Sequence, residues 1–280
     1  MSLAQSCRLL GVSRQSVYQR EIRIVKREKE YARLKRLVQE IRMKMPRLGT
    51  RKLYYLLQKD LKSQGIKIGR DGLFAYLRRE HLLIKPKKNY TKTTHSKHWL
   101  RKHPNLYEST KVTQAEQFFV SDITYVKSHE KTHYLSLVTD AYSRKIMGHH
   151  LSDDMSAENV VKALKMAIKN KVTNQKTIHH SDRGLQYCSA VYQEELKENN
   201  ITPSMTDGYD CYQNALAERV NGILKQEYLI EKTKNGKDLD LLVKQAVNSY
   251  NNQRPHLSLD YKTPNFMHQK TGVETLLRPY

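Results

Sequence analysis

The chain has few cysteines, no long apolar run, and hardly any acid in its first hundred residues. Cys7, Cys188 and Cys211 are odd in number, far apart and free of any C-x-x-C pairing. That excludes a disulfide framework and a thiolate zinc site, and leaves the three as reduced, structural residues. No stretch of about 18 apolar residues could span a bilayer, and the first residues lack the charged-then-apolar-then-small pattern of a secretory signal. A soluble, cytosolic chain is expected. Residues 1–105 hold 28 Lys and Arg against 7 Asp and Glu, a balance of +21, whereas residues 106–280 hold 22 against 21, a balance of +1. A charge run alone reads equally as a solvated surface. Its confinement to one end favours a polyanion-binding region joined to a near-neutral body with another task. A length of 280 residues allows two or three domains.

Within the basic part, "LAQSCRLLGVSRQSVYQREI" has apolar Leu3, Leu9, Leu10, Val12 and Val17, a turn at Gly11, and Ser13 placed to cap a second helix. The pattern fits a helix-turn-helix or an ordinary helical hairpin; the surrounding charge favours the former, with Arg14 and Gln15 as candidate DNA contacts. A basic helix is expected over about 20–44. A second helical unit follows, with Leu53, Leu57 and Leu61 on one face and a stop at Gly65; Arg78 and Arg79 of its next helix are free to meet phosphates. The expected divisions are a helix-turn-helix segment at 1–30, a second helical DNA-binding domain at 31–90, a basic linker at 91–112 and an α/β body at 113–275. His95, His98 and His103 in or beside the linker lack the fourth ligand that a structural zinc site needs.

In the body, "FFVSDITYV", "HYLSLVTDAY" and "RKIMGHHL" read as three antiparallel strands. "SAENVVKALKMAIKN" is an amphipathic helix with Ser156 as its cap, "TIHHSD" a strand, "AVYQEELKENN" a helix and "ITPSM" a fifth strand. This is an α/β order with a mixed sheet. Asp122 sits mid-strand between apolar neighbours, where a carboxylate is costly without a partner or a metal. Asp182 ends the fourth strand; alone it is as well explained as a turn cap, but beside the first strand it would meet Asp122. On "NALAERVNGILKQEYL", Asn214, Glu218, Asn221 and Lys225 fall on one face and Leu216, Val220, Ile223 and Leu224 on the other, so the polar stripe is expected to point away from the sheet. A serine hydrolase is a poor competitor. His180, Ser181 and Asp182 alternate between strand faces, and no G-x-S-x-G elbow occurs.

"VSDITYV", "HSDRGLQY" and "NALAERVNGILKQE", in that order and followed by "YNNQRPHLSLDYKTP", resemble the motifs of the DDE transposases of bacterial insertion sequences, closest to the insertion-sequence-three family. The likeness covers nearly the whole chain, including "CRLLGVSRQSVYQR" and "PRLGTRKLYYLL" of a second-frame product. Gln213 departs from the family's Asp-Asn-Ala run ahead of the glutamate. The resemblance implies a ribonuclease-H-like core similar to that of retroviral integrases, with Asp122, Asp182 and Glu218 catalytic and holding two Mg²⁺ or Mn²⁺ ions. It implies metal-dependent 3′-end cleavage and strand transfer. Lys225 would contact a phosphate near the scissile bond, Gly184 would allow a tight turn close to DNA, and Arg183, Asn214, Asn221 and Arg254 are further candidate DNA contacts. The implied partners are double-stranded DNA as element end and target, a homodimer or higher oligomer on DNA, and an upstream-frame protein or fusion; no membrane is involved, and the site of action is the cytoplasm and nucleoid. The alternatives are a silent DNA-binding regulator and a nuclease of the same fold without strand transfer.

Overall fold

The computed structural model describes residues 2–85, 102–107, 109–207 and 214–276. His95, His98, Cys211, Gln213 and much of the expected linker lie outside the described residues. The chain forms two compact units, Met1–Ile84 and Lys85–Tyr280.

The first unit opens with α1 (Leu3–Leu9), where Ser2 and Gln5 form a reciprocal capping box. Gly11 turns the chain at φ 64°, a conformation that a side chain disfavours. Ser13 then caps α2 (Arg14–Lys44), its hydroxyl accepting from Ser16 N at 3.1 Å. The separate helices expected before and after residue 20, and the division between residues 30 and 31, fall inside this one 31-residue helix. Nothing between Arg14 and Lys44 is Gly or Pro, so no residue there interrupts it. Leu3, Leu9, Leu10 and Val12, the apolar positions of the helix-turn-helix pattern, are between 43 and 75 % exposed. The packed part of the unit is the later half of α2 with α3 (Thr50–Ser63) and α4 (Arg70–Arg79). Leu34, Val38, Leu53, Leu57, Leu61, Leu73 and Leu77 are buried there, each stabilising by roughly 1.5–3 kcal/mol. The Tyr76 hydroxyl donates to Tyr31 O at 3.1 Å and ties α4 to α2.

The second unit is built on β1 (Phe118–Lys127), β2 (Thr132–Asp140), β3 (Ile146–Ser152), β4 (Thr177–Ser181) and β5 (Ile201–Met205), in the order β3-β2-β1-β4-β5. The first three strands are antiparallel neighbours, as their sequence suggests, and β4 runs parallel to both β1 and β5. The helices are α5 (Ala157–Lys169), the short α6 (Leu185–Cys188), α7 (Ala190–Glu198), α8 (Ala215–Ile223), α9 (Gly236–Asn252) and α10 (Pro264–Leu276). α8 runs on into a π-wound segment, Leu224–Tyr228. No helix among the described residues is long and apolar enough to cross a membrane.

Side-chain alternation along β1 sorts two layers. Phe119 packs with Val138, Met147, Ala163 and Ala167 under α5, and Ile123 joins the α5–α7 core. Phe118 and Val120 pack with Ala141 and with Ala217 of α8 on the opposite face. Gly148 of β3 is there because a methyl group would collide with the Ala163 backbone of α5. Ser156 occupies the cap position of α5, but its side chain makes no capping bond; Asp154 Oδ1 accepts from Ser156 N at 2.8 Å instead.

Candidate active site

The even-numbered face of β1 continues through Asp122 and Thr124, which therefore lie under α8 with Phe118 and Val120. Parallel pairing sets Phe118 opposite Ile178 and Val120 opposite His180. Extending that register brings Asp122 level with Asp182, the first residue beyond β4, on chains about 5 Å apart. Burial, the charge of Asp182 and, more weakly, that of Glu218 push the Asp122 carboxyl up to about 7. Its Oδ1 accepts from Ile123 N at 2.8 Å and its Oδ2 from Asn221 Nδ2 at 2.7 Å. Asp182 Oδ1 accepts from Gly184 N at 3.0 Å. Gly184 has an ordinary φ of −64°, so a tight turn is not what requires glycine. A Cβ there would come 3.0 Å from Asp182 Oδ1, and it is this close approach that a side chain would disturb. Glu218 stands exposed in the first turn of α8, its carboxyl raised by partial burial.

Three of the four residues of the polar stripe, Asn214, Asn221 and Lys225, face the sheet, contrary to expectation, and Glu218 alone stays exposed. Asn214 Nδ2 donates to Ser121 O at 2.9 Å, Asn221 Nδ2 to Asp122, and Lys225 Nζ to Thr124 Oγ1 at 3.2 Å. Val220, Ile223 and Leu224 are buried as well, so the helix is covered on two sides and only its Ala215–Glu218–Arg219 edge is open. The asparagines turn inward because a covered carboxylate and backbone carbonyl need donors. Asn214, Asn221 and Arg254 were expected to touch DNA; at 6, 5 and 1 % exposure they are internal residues instead.

Arg183 is partly covered and lies 3.7 Å from Asp207. Lys225 is half-buried, and burial lowers its ammonium pKa while Asp122 opposes that. Arg14, Gln15, Arg78 and Arg79 are exposed on the first unit, where the Arg79 guanidinium sits 4.9 Å over the Tyr31 ring. His179 and His180 are turned to other work. His179 Nε2 lies 2.7 Å from Ser121 Oγ and 2.9 Å from the Tyr192 hydroxyl, and burial drives its pKa down to about 3. His180 Nδ1 lies 2.8 Å from Ser204 Oγ. Among the described residues, no three His, Cys, Asp or Glu side chains converge closely enough to enclose a metal ion.

Two features escaped the sequence reading. Thr124 was findable, since it shares the strand face of Asp122 two residues on. The other is a bidentate pair of Arg254 with Glu227, at 2.8 and 2.6 Å. No periodicity links residues 27 positions apart.

Two family models, each described as an integrase core domain, match residues 112–211 and 199–264. The chain is 35 % identical over 271 residues to the "Insertion element IS600 uncharacterized 31 kDa protein" of Shigella sonnei, covering 94 % of this chain and 97 % of that one. It is 33 % identical over 232 residues to "Transposase InsF for insertion sequence IS3A" of Escherichia coli (strain K12), covering 81 % and 79 %. Among solved structures, a chain of the simian T-cell lymphotropic virus intasome in complex with PP2A regulatory subunit B56 gamma aligns with a TM-score of 0.50 at 18 % identity, over 79 % of this chain and 74 % of that one. That likeness is one of fold.

Proposed function

The chain belongs to the insertion-sequence-three type of DDE transposases, and from that membership we propose that Asp122, Asp182 and Glu218 are the catalytic residues of its DNA cleavage and strand transfer. The observation that carries the assignment is that Asp122 of β1 lies within electrostatic reach of both Asp182 at the end of β4 and Glu218 of α8, its own carboxyl raised to about 7.

The donor set suits a hard divalent cation. Asp122 and Asp182 meet at the corner with Glu218 at its exposed edge, both neighbouring imidazoles are engaged elsewhere, and the buried Asn221 Oδ1 beside Asp122 has no partner. Asp122, Asp182 and Glu218 would hold two Mg²⁺ or Mn²⁺ ions, whose contribution when bound is to polarise the attacking and leaving oxygens of an in-line displacement at phosphorus. Asn221 and Ile123 N hold the two oxygens of Asp122 in one orientation, and Gly184 N fixes one oxygen of Asp182. Lys225, on Thr124 two strand positions from Asp122, binds a DNA phosphate beside the scissile bond as a point charge. The basic first unit supplies most of the non-specific grip on double-stranded DNA, both element end and target. On DNA the chain works as a dimer or higher oligomer, alone or with an upstream-frame product.

Asp122→Asn, Asp182→Asn and Glu218→Gln each remove a charge with little change of shape. Each is expected to abolish cleavage and joining of labelled element ends, with gel-shift affinity unchanged. Full activity in any one variant removes that residue from the site, and ends that are cut but never joined by the parent make it a nuclease.

A further inference from the structure

We infer that the buried Arg254–Glu227 pair is a positioning device that fixes the π-wound turn after α8 and thereby holds Lys225 against β1. The inference rests on the reading of Lys225 as a phosphate contact and names what controls it.

A π turn is uncommon, and something must hold it where plain α winding is available. Here Leu229 N donates to Leu224 O at 2.9 Å, the long i→i+5 bond. Glu227, inside that turn, is gripped from α9's far end: Arg254 Nε donates to Oε2 at 2.8 Å and Nη2 to Oε1 at 2.6 Å. Arg254 is itself locked. Its Nη1 lies 3.1 Å from His256 Nε2, and its guanidinium stands 5.9 Å from the centroid of Tyr250, which is fully buried. Burial opposes the guanidinium charge, yet the Glu227 carboxylate outweighs it and the Arg254 pKa is raised. A buried ion pair is a weak source of stability, and its two-pronged geometry is better suited to fixing one arrangement.

The arrangement matters because Lys225 lies in the same turn, two residues before Glu227. Winding through i→i+5 bonds advances less than the α-helical 100° per residue. Lys225 therefore lags behind Glu218 and comes into line with Asn214 and Asn221, the two residues that reach β1. Rewinding to i→i+4 would carry the residues after Ile223 progressively around the axis, away from Thr124.

Arg254→Lys keeps the charge but loses the fork. In full-length protein, amide exchange at residues 224–229 is expected to accelerate, whereas the thermal shift produced by Mg²⁺ stays unchanged. With labelled element ends, the DNA concentration for half-maximal joining should rise about tenfold while the saturated rate changes less than about twofold. In a Lys225→Ala background, the same Arg254→Lys change should add less than about twofold, the mark of two residues acting through one contact. An unaltered exchange pattern overturns the clamp. An equal penalty in both backgrounds overturns the link to Lys225, as does a fall in melting temperature that accounts for the whole loss. Glu227→Gln with Arg254→Gln, which leaves no lone buried charge, repeats the exchange measurement should Arg254→Lys fold poorly. Exchange is read without DNA, so a parent protein that joins nothing would count against the transposase chemistry and leave the clamp decided on its own data.

Discussion

Asp122 is expensive to keep ionised without a cation, and that cost has a sign. The unfolded chain releases this proton near 3.8, whereas the folded one holds it to about 7. Between those values folding takes up a proton, so metal-free stability falls as pH rises through the interval and the penalty is complete above pH 7. The gap corresponds to about 4 kcal/mol at most. Asp122→Asn is therefore expected to melt above the metal-free parent at pH 8 and with it near pH 3.5, and to lose the stabilisation that Mg²⁺ gives the parent. Equal melting temperatures at pH 8 would mean that the carboxyl is not strained. At this scale the acids were legible because a carboxylate amid Val120, Ile123 and Val126 contradicts its surroundings. Arg254 was not: a lone arginine in a polar motif looks like a surface residue, and its burial depends on Glu227, a partner with no sequence signal. Asn214 and Asn221 misled for a related reason, since polarity was taken as a mark of exposure although both serve buried acceptors.

Among the elements, β1 was the most readable and α8 the least. Strict alternation on β1 separates Phe119 and Ile123 from Phe118, Val120 and Asp122, and a period of two survives whatever packs on either face. A helix covered on two sides gives no such clean stripe, and on the clamp inferred above the passage from α to π winding at Leu224 depends on contacts distant in sequence. The length of α2 was missed because composition was read as two segments, although no breaker occurs between Arg14 and Lys44. The contact of β3 with α5 carries its own test. Gly148→Ala places a methyl against the Ala163 backbone, so the helix must back away from the sheet. Overpacking of this kind costs about 1–3 kcal/mol, and denaturant titration should show that loss. A neutral result would mean that α5 shifts freely on its sheet.

For the molecule as a whole, the division of charge is the governing fact. A fragment of residues 1–90 is expected to bind double-stranded DNA by itself, with affinity falling by about a thousandfold or more between 50 and 200 mM salt, because each neutralised phosphate releases counterions. A flat dependence, measured by anisotropy, would remove DNA binding from the +21 of residues 1–105. The mixed sheet with three antiparallel strands was readable from the sequence of strands and helices, whereas its strand order and the arrangement of the corner depend on pairing β1 with β4 across about sixty residues. That distance also sets an order of competence. Synthesis proceeds from the amino terminus, and domains fold as they are completed, so the cationic helices exist before Glu218 has been made. A chain that stops anywhere between residues 106 and 217 carries the cationic helices without the third acid. On the proposed chemistry, such a product would hold DNA without cutting it. On that reading unfinished molecules would compete with finished ones for DNA.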